Sequence, residues 1–282
     1  METQQNLYQS DILTEIMEGD CREVLPTLLS ESIDLIVTSP PYANARRKQY
    51  GGIAHADYVD WFLPIASELY RVLKPSGTFI LNIKENVVNG ERSTYVMELI
   101  LSLRKLGFLF TEEYCWCKKN SMPGKWKNRF RDAWERLLQF NKSREFAMYQ
   151  DAVMVRRKDS TAHRLTKLSA NSTQRVVSST GSNFSKRLSA WVGREYVYPS
   201  NVLYLSVESK NRKHSAVFPE SLPEWFIKLF TVAGDMVLDP FSGSGTTGAV
   251  CCRLNRNFIG IEKMHEYVEL SRERISVTKN IC

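Results

Sequence analysis

Short blocks of apolar residues alternate with helically spaced apolar positions along the first 117 residues, so that strands and helices are predicted in turn. A continuous apolar run is typical of a buried strand, whereas apolar residues three and four apart are typical of a helix that covers a core. The predicted elements are strands at 33–38, 78–83 and 109–117 and helices at 58–73 and 94–106, the second capped by Gly107. This alternation favours a parallel, doubly wound α/β sheet.

The alternation stops after residue 117 and returns after Pro219. Residues 118–131 form a basic loop with Gly and Pro, and 134–141 regain apolar content. The segment 159–189 holds 12 Ser and Thr among 31 residues and few large apolar side chains, which fits either a flexible surface insertion or a lobe that contacts nucleic acid. The elements predicted beyond it are helices at 222–230, 246–254 and 265–277 and strands at 236–239 and 258–262.

The charge is distributed unevenly. The whole chain has 38 basic and 31 acidic residues, a net charge of +7, in an otherwise ordinary globular composition of 282 residues. Residues 116–216 alone hold 21 basic and seven acidic side chains, a net charge of +14, so the remainder carries −7. A cationic block on an anionic body is expected of a protein that binds a polyanion.

The sequence gives no sign of a membrane or secreted protein. No apolar run approaches the ~18 residues of a membrane span, and the polar, acidic N-terminus does not resemble a signal peptide. The six cysteines are expected to be reduced, and neither Cys115–Cys117 nor Cys251–Cys252 has Cys-x-x-Cys spacing. We therefore expect a soluble, cytoplasmic protein without a metal site.

A glycine-rich turn at 236–248 has the pattern of a nucleotide-binding loop. Gly243, Gly245 and Gly248 satisfy G-x-G-x-x-G between a predicted strand and helix, and Glu262 ends the next strand. The glycines allow a ligand close to the backbone, and the acidic residue suits ribose hydroxyls; the alternative is a tight turn that only packs helix on strand. Because only 39 residues follow Gly243, the other strands must come from the N-terminal segment, as in a circularly permuted chain.

A second candidate loop, Thr38-Ser39-Pro40-Pro41-Tyr42, follows the first predicted strand. The prolines stiffen the turn, so that the Ser39 hydroxyl and the Pro40 carbonyl become fixed hydrogen-bond acceptors at the carboxyl end of a strand. The Tyr42 ring offers a face for stacking. This set suits the exocyclic amino group of a flat base, although a rigid Pro-Pro turn with a packing tyrosine has the same pattern.

Together these segments resemble the beta-type, circularly permuted DNA amino-methyltransferases that use S-adenosylmethionine. The resemblance rests on segments 239–247 (DPFSGSGTT), 259–262 (IGIE), 38–42 (TSPPY), 19–21 (GDC), 73–77 (LKPSG) and 213–222 (KHSAVFPESL). It implies a permuted Rossmann-like methyltransferase sheet with a basic target-recognition insertion. The implied divisions are a catalytic half at 1–142, a DNA-binding insertion at 143–210 and a cofactor-binding half at 211–282.

The resemblance also implies roles for individual residues. Residues 239–245 line the methionine end of the cofactor, Glu262 binds the ribose hydroxyls, Asp20 lies near the adenine, and Phe218 and Pro219 complete the pocket. The implied cofactor-binding residues are Asp20, Phe218, Pro219, Asp239, Pro240, Phe241, Gly243, Ser244, Gly245, Thr246 and Glu262. The implied catalytic residues are Ser39, Pro40, Pro41 and Tyr42.

The basic block supplies the candidate DNA contacts, because Lys and Arg beside a base pocket suit phosphates. The residues expected to bind DNA are Lys119, Lys125, Arg129, Arg156, Arg157, Lys186 and Arg187. A solvated basic face is the alternative. Trp126, Trp191 and Tyr196 are candidates to support a flipped base, but core positions are favoured for all three.

The expected activity is transfer of a methyl group to the N4 amino group of a flipped cytosine in double-stranded DNA, in a restriction-modification system with a partner endonuclease. Adenine N6 is the alternative target, and Ser rather than Asp or Asn at position 39 favours cytosine. Carbon-5 methylation is not expected, because it needs a Pro-Cys nucleophile and no cysteine here follows a proline. No ionised catalytic base is evident. A nicotinamide-dependent reductase and a DNA-binding module without activity are the alternatives of other classes.

Overall fold

A computed structural model describes residues 12–44, 52–121, 123–157, 194–207 and 218–280. The chain divides into two compact units, one made of Met1–Tyr149 with Asn201–Cys282 and the other of Gln150–Ser200. The sequence-based division at 142 and 210 assigns functions as well as bounds, and it stays a prediction.

Strands and helices alternate along most of the described residues, and two short strands, Val155–Arg156 and Tyr196–Val197, belong to the smaller unit. We number the elements in chain order, leaving 3₁₀ turns unnumbered. They are β1 (Thr14–Glu18), α1 (Cys21–Val24), β2 (Ile33–Thr38), α2 (Tyr58–Val72), β3 (Leu73–Ile83), β4 (Val87–Val88), β5 (Glu91–Arg92), α3 (Tyr95–Leu106), β6 (Leu109–Lys118), β7 (Trp134–Asn141), β8 (Val155–Arg156), β9 (Tyr196–Val197), β10 (Val202–Leu205), α4 (Ser221–Phe230), β11 (Met236–Asp239), α5 (Thr246–Arg253), β12 (Asn257–Glu262) and α6 (His265–Lys279).

In the described part of the larger unit, eight strands form one sheet in the order β1-β12-β11-β2-β3-β7-β6-β10. Every neighbouring pair is parallel except the two that involve β7, which runs antiparallel to both β3 and β6. The α/β fold with a mostly parallel sheet is therefore confirmed, and β7 is the one described strand of this sheet that departs from the parallel order. The physical reason is the connection: residues 119–133 carry no helix among their described residues, and parallel neighbours need a crossover.

The last two strands, β11 and β12, lie between β1 and β2. Strands from the two ends of the chain thus complete one sheet, as the late position of the glycine loop requires. The circular permutation implied by the resemblance stays a prediction.

The predicted elements differ from the observed ones mainly at their ends. Gly107 caps α3 with φ 121°, as expected of a glycine C-cap. Helix α2 ends at Val72, one residue before its predicted end, and residues 74–77 lie inside β3, whose pairing with β2 shifts between Ile33 and Leu35. The sequence did not predict β1, β7 or β10 as strands: β1 and β10 have only five and four residues, and β7 (WERLLQFN) has no regular alternation of apolar and polar positions.

The core on one side of the sheet is built by α2 and α3. Their apolar residues pack with those of β2, β3 and β7 in one buried cluster. Its centre is aromatic: Phe79 and Phe140 lie 5.8 Å apart by ring centroids, and Phe108 contacts both. Burial of these large rings supplies much of the stabilisation of a sheet this size. The carboxyl ends of the strands are thereby held on a rigid base.

The smaller unit is described only in part. Its antiparallel pair β8–β9 joins Val155 to Val197, and the Tyr198 hydroxyl donates to the Asp151 carboxylate over 2.9 Å. Residues 158–193, which include the whole Ser/Thr-rich segment 159–189, lie outside the described residues.

Two general expectations can be compared with the described residues. None of their helices is long and apolar enough to cross a membrane. The five cysteines among them form no disulfide, and the sulfur atoms of Cys115 and Cys117 lie 3.7 Å apart on β6.

Candidate active site

The predicted site residues meet at the carboxyl edge of four adjacent parallel strands. Thr38, Asp239 and Glu262 are the last residues of β2, β11 and β12, and Asp20 follows the end of β1. The register places Glu18 opposite Glu262 and Asp239 opposite Gly260, so these ends are neighbours. Open α/β sheets bind their ligands at this edge.

The Asp239 carboxylate joins the two candidate loops. One oxygen accepts a hydrogen bond from the Thr38 hydroxyl over 2.7 Å and from the Phe241 amide over 3.1 Å. The other accepts from the Thr247 hydroxyl over 2.8 Å. Burial raises the pKa of the Asp239 carboxyl to about 6, although these three donors act in the opposite direction. The Ser39 loop and the glycine loop are therefore fixed relative to each other.

The glycines of the second loop occupy conformations and spaces that other residues resist. Gly243 and Gly245 have φ of 54° and 75°, in the left-handed region. A Cβ on Gly245 would lie 2.3 Å from the Ser271 hydroxyl oxygen, and one on Gly248 would lie 2.6 Å from the Phe258 ring. Gly248 thus serves the packing of α5 on β12, and the first two glycines shape the turn.

The Glu262 side chain holds this turn in place through hydrogen bonds to backbone amides. Its carboxylate is buried and accepts hydrogen bonds from the Gly243 amide over 2.9 Å and the Met264 amide over 2.8 Å. A carboxylate with two oxygens has further lone pairs for hydroxyl donors. Next to it, the hydroxyl oxygen of Ser242 is buried and has no hydrogen-bond partner among the described residues.

Other predicted cofactor residues have partners within the protein. The Asp20 carboxylate binds Arg22 through both oxygens, at 3.0 and 2.7 Å, and contacts Lys263 at 3.2 Å. The hydrogen bonds from Arg22 hold the pKa of Asp20 well below its ordinary value. The Thr246 hydroxyl accepts from Arg274 over 2.7 Å, and the Ser244 carbonyl lies 3.4 Å from the same guanidinium.

Four apolar members of the predicted set lie beside these loops or lead into a helix. Pro240 is buried, and the Phe241 ring lies 6.0 Å from that of Trp61 on α2. Phe218 is half-buried and Pro219 is buried, and the Pro219 carbonyl accepts from the Leu222 amide in the first turn of α4.

The Ser39 loop is held by tyrosines. The Tyr58 hydroxyl of α2 donates to the Pro41 carbonyl over 3.0 Å, which fixes the turn and engages that carbonyl. Among the described residues, no donor reaches the Pro40 carbonyl. Ser39 and Tyr42 are half-buried, and their hydroxyl oxygens lie 3.3 Å apart. Ser39 is thus half-buried with its hydroxyl on Tyr42, Pro40 is buried, and the Pro41 carbonyl has a structural partner.

A buried glutamate that the sequence did not predict completes this loop. The Glu135 carboxylate of β7 accepts from the Tyr42 hydroxyl over 2.7 Å, from the Asn82 amide over 3.2 Å and from the Lys118 ammonium. The antiparallel course of β7 brings its first residues to the carboxyl edge of the parallel strands. The only signal was a glutamate at an inward-facing position of a strand, which cannot be recognised before the strand itself is predicted.

The candidate DNA contacts lie in two places. Lys119 and Lys125 are exposed on the loop between β6 and β7, and Arg129 stacks on Trp126 at 4.8 Å and pairs with Asp132 at 3.3 Å. In the smaller unit, Arg156 is exposed and lies 3.4 Å from Glu195, and the amide of Arg157 donates to the Glu195 carbonyl. Lys186 and Arg187 lie outside the described residues.

Two aromatic residues are more exposed than expected. Trp126 and Tyr196 were predicted to be core residues and are 44% and 50% exposed, because each belongs to a surface segment with few apolar neighbours. Trp191 lies outside the described residues. Phe130, which the sequence did not single out, is 94% exposed between Arg129 and Arg131.

Comparison with known proteins decides the family. The model of the N6/N4 methyltransferase family, described as "DNA methylase", matches residues 33–273. The chain belongs to this DNA methylase family. The prediction of an S-adenosylmethionine-dependent DNA methyltransferase is thereby confirmed. It is preferred over the two alternative predictions, a nicotinamide-dependent reductase and a DNA-binding module without activity.

Two relatives of this DNA methylase are similar over most of its length, and one of them is named as an adenine methyltransferase. The Type II methyltransferase M.PvuII of Proteus hauseri is 32% identical over an alignment of 285 positions, which covers 91% of this chain and 82% of the relative. The DNA adenine methyltransferase YhdJ of Escherichia coli K12 is 31% identical over an alignment of 271 positions, which covers 94% of this chain and 83% of the relative.

Solved structures share the fold of this DNA methylase. The PvuII DNA methyltransferase, named as cytosine-N4-specific, superposes with a TM-score of 0.69 at 27% identity and covers 95% of this chain and 93% of its own. M1.HpyAVI, solved as a complex with SAM, has a TM-score of 0.57 at 22% identity over 93% of this chain and 99% of its own, and shows the fold alone.

Proposed function

We propose that this protein transfers a methyl group from S-adenosylmethionine to the exocyclic N4 amino group of a flipped cytosine in double-stranded DNA. The observation that carries the proposal is the 2.7 Å hydrogen bond between Thr38 and Asp239. It joins the loop that suits an amino group to the loop that suits the methyl donor. The two reactants would therefore meet at one sheet edge.

The first loop suits a planar base with an amino group. The lone pair of that nitrogen is delocalised into the ring, which makes it a poor nucleophile. Acceptors on both N–H bonds, the Ser39 hydroxyl oxygen and the Pro40 carbonyl, would favour a pyramidal nitrogen with an available lone pair. Tyr42 would stack on the base, since its hydroxyl is fixed by Glu135. Positioning of this kind accounts for roughly 7–11 kcal/mol in model reactions.

The second loop fits S-adenosylmethionine. Two glycines with positive φ leave its backbone open to close approach, and the buried hydroxyl of the preceding Ser242 has no hydrogen-bond partner within the part of the chain that the structure describes. When bound, the cofactor supplies a methyl group activated by a sulfonium. Glu262 would accept from the ribose hydroxyls, residues 239–245 would line the methionine end, and Asp20 would lie near the adenine. Phe218 and Pro219 would complete the pocket.

Cytosine N4 is favoured over adenine N6 by two observations. Residue 39 is serine, the type expected in the cytosine enzymes that the chain resembles, whereas a stronger acceptor is expected for adenine. M.PvuII, whose solved structure is named as cytosine-N4-specific, is similar over most of both chains. Adenine N6 is the second candidate, because YhdJ, named as an adenine methyltransferase, is almost as similar.

DNA contact is proposed for the basic segments. A paired base cannot reach a loop at the sheet edge, so base flipping is required. The loop at 119–133 offers exposed Lys119 and Lys125 for phosphates and the exposed Phe130 ring for the face of a base or sugar. Arg129, Arg156, Arg157, Lys186 and Arg187 are the further proposed contacts. A cognate restriction endonuclease is proposed as partner, since relatives are named Type II methyltransferases.

Identification of the modified nucleoside tests this function. The gene is expressed in a host without DNA methyltransferases, and the digested host DNA is analysed by mass spectrometry. N4-methylcytosine is expected with the wild type and the exposed-serine control Ser67→Ala, and it should disappear with Ser39→Ala. N6-methyladenine instead would overturn the choice of base, and unmodified DNA from a folded wild type would overturn the function.

A further inference from the structure

A chain of hydrogen bonds leads from Ser39 to a buried carboxylate. The Ser39 hydroxyl oxygen lies 3.3 Å from that of Tyr42, which lies 2.7 Å from a Glu135 carboxylate oxygen. Glu135 is 7% exposed. Ser39 comes from the end of β2 and Glu135 from the start of β7, so tertiary structure alone brings them together.

The hydrogen-bond donors around Glu135 determine which group donates and which accepts in the series from Ser39 to Glu135. One carboxylate oxygen faces the Lys118 ammonium, and the other accepts from the Asn82 amide and the Tyr42 hydroxyl. Both oxygens face donors, so the group is a carboxylate. The Tyr42 hydroxyl has one proton to donate. It donates to the charged Glu135 carboxylate oxygen at 2.7 Å in preference to the neutral side-chain oxygen of Asn82 at 3.1 Å. Tyr42 is then free to accept the Ser39 proton.

Methylation of an amino group leaves a proton on the nitrogen that must pass to an acceptor. The nitrogen lone pair forms the new N–C bond, the C–S bond of the sulfonium breaks, and its electron pair stays on sulfur. The methylated nitrogen then carries one proton too many. The Ser39 oxygen is placed to accept that proton if its own hydroxyl proton moves on to Tyr42.

We propose that Glu135 is the terminal proton acceptor of the methyl transfer and acts on the base through Tyr42 and Ser39. The excess N–H proton passes to the Ser39 oxygen, the Ser39 proton to the Tyr42 oxygen, and the Tyr42 proton to Glu135. Both hydroxyls are restored, and one carboxylate becomes a carboxylic acid. This inference rests on the proposed function but not on the choice of base, because cytosine N4 and adenine N6 release the same proton.

The surroundings of Glu135 suit this role. Burial and the charge of Glu135 raise the pKa of Tyr42 well above its ordinary value, so Tyr42 passes a proton on without remaining ionised. The titratable groups that face Glu135 are Lys118 from β6, Tyr42 from the Ser39 loop and Tyr95 from α3. The side chain of Lys118 is 18% exposed, which gives the proton a way to solvent before the next turnover.

The test uses Glu135→Gln, which keeps the size and an oxygen acceptor for Tyr42 but removes the charge. With purified full-length enzyme and DNA that contains the mapped site, we expect the single-turnover rate of methyl transfer to fall about 100-fold. Affinity for S-adenosylmethionine and KM for DNA should stay within about twofold of the wild type. The fall in rate at low pH expected of the wild type should be absent from the variant.

Two controls distinguish a proton relay, in which Ser39 and Tyr42 pass the proton to Glu135, from a purely structural role of Glu135. Glu85→Gln changes another buried carboxylate, which is 3% exposed and binds Arg136 at 2.7 Å, and it should keep the wild-type pH profile. Tyr42→Phe keeps the ring but interrupts the chain. Its loss of rate should match that of Glu135→Gln, and the double variant should be no slower than either.

Several results would overturn the relay. They are a wild-type rate or pH profile for Glu135→Gln, losses that multiply in the double variant, or a fall in rate accompanied by an equal loss of cofactor affinity. Failure of the proposed function is a different result, since the wild type itself would then leave DNA unmodified.

Discussion

At the scale of single residues, the sequence was informative where function is carried by a local motif. Ser39, Tyr42, Asp239 and Glu262 were each predicted from a few neighbouring residues, and the structure brings their segments to one edge of the sheet. Glu135 could not be found in this way, because its partners Tyr42, Asn82 and Lys118 come from three separate segments. Its role depends on strand pairing, which a local pattern does not contain.

Asp239 leads to a prediction about stability. The pKa of its carboxyl is raised from 3.8 to about 6, so ionisation costs the folded state more than the unfolded state. The contribution of this group to stability is therefore highest below pH 4 and falls as the pH rises to about 6. Asp239→Asn removes that dependence. The melting temperature of the variant relative to the wild type should rise between pH 4.5 and 8, by the equivalent of about 2 kcal/mol in unfolding free energy.

Differential scanning calorimetry without cofactor measures this difference. Asp60→Asn, at an exposed position of α2, is the matched control and should follow the wild type across the range. Equal pH dependence of the two variants would contradict the raised pKa of Asp239.

At the scale of elements, the helices and the buried parallel strands were predicted within a few residues, because their periodicity is strong. Strand β7 was not, since its residues (WERLLQFN) show no regular alternation of apolar and polar positions and its direction follows from a loop without a crossover helix. That direction places Glu135 at the active edge. The element that was hardest to predict therefore supplies the residue that was missed.

The turn between β11 and α5 leads to a second prediction. Gly245 and Gly234 both have positive φ, at 75° and 87°, but a Cβ would meet Ser271 only at Gly245. Gly234→Ala should cost about 1–2 kcal/mol of backbone strain. Gly245→Ala should cost clearly more, because Ser271 must also move.

Urea unfolding compares the two variants, and Ser271→Gly added to Gly245→Ala should restore part of the loss. Equal losses at the two glycines, or no recovery, would mean that close packing against α6 does not explain the glycine.

At the scale of the whole molecule, the net charge of +7 divides into a basic segment of +14 at 116–216 and a remainder of −7. This division was read directly from the sequence, whereas the placement of individual side chains was not. Arg129 is paired with Asp132 and stacked on Trp126, while Lys119 and Lys125 are exposed on the same loop. Exposure, which depends on the fold, distinguishes side chains that the charge count treats alike.

The lysines lead to a third prediction. Each phosphate contact contributes about 0.9 to the slope of the logarithm of DNA affinity against that of salt concentration. Lys119→Ala with Lys125→Ala should reduce that slope by about 1.8 if each lysine makes one contact. Lys105→Ala, an exposed lysine on α3, should leave it unchanged. Fluorescence anisotropy at several salt concentrations measures the slope, and an unaltered slope in the double variant would exclude these contacts.

The most direct test of the central claim is sequencing, with detection of modified bases, of genomic DNA from a methylation-free host that expresses this protein. The account predicts N4-methylcytosine at one short recognition sequence in nearly every copy, and its absence with Ser39→Ala. Genomic DNA without any modified position, despite folded wild-type protein, would contradict the account; N6-methyladenine at the recognition sequence would contradict the cytosine assignment.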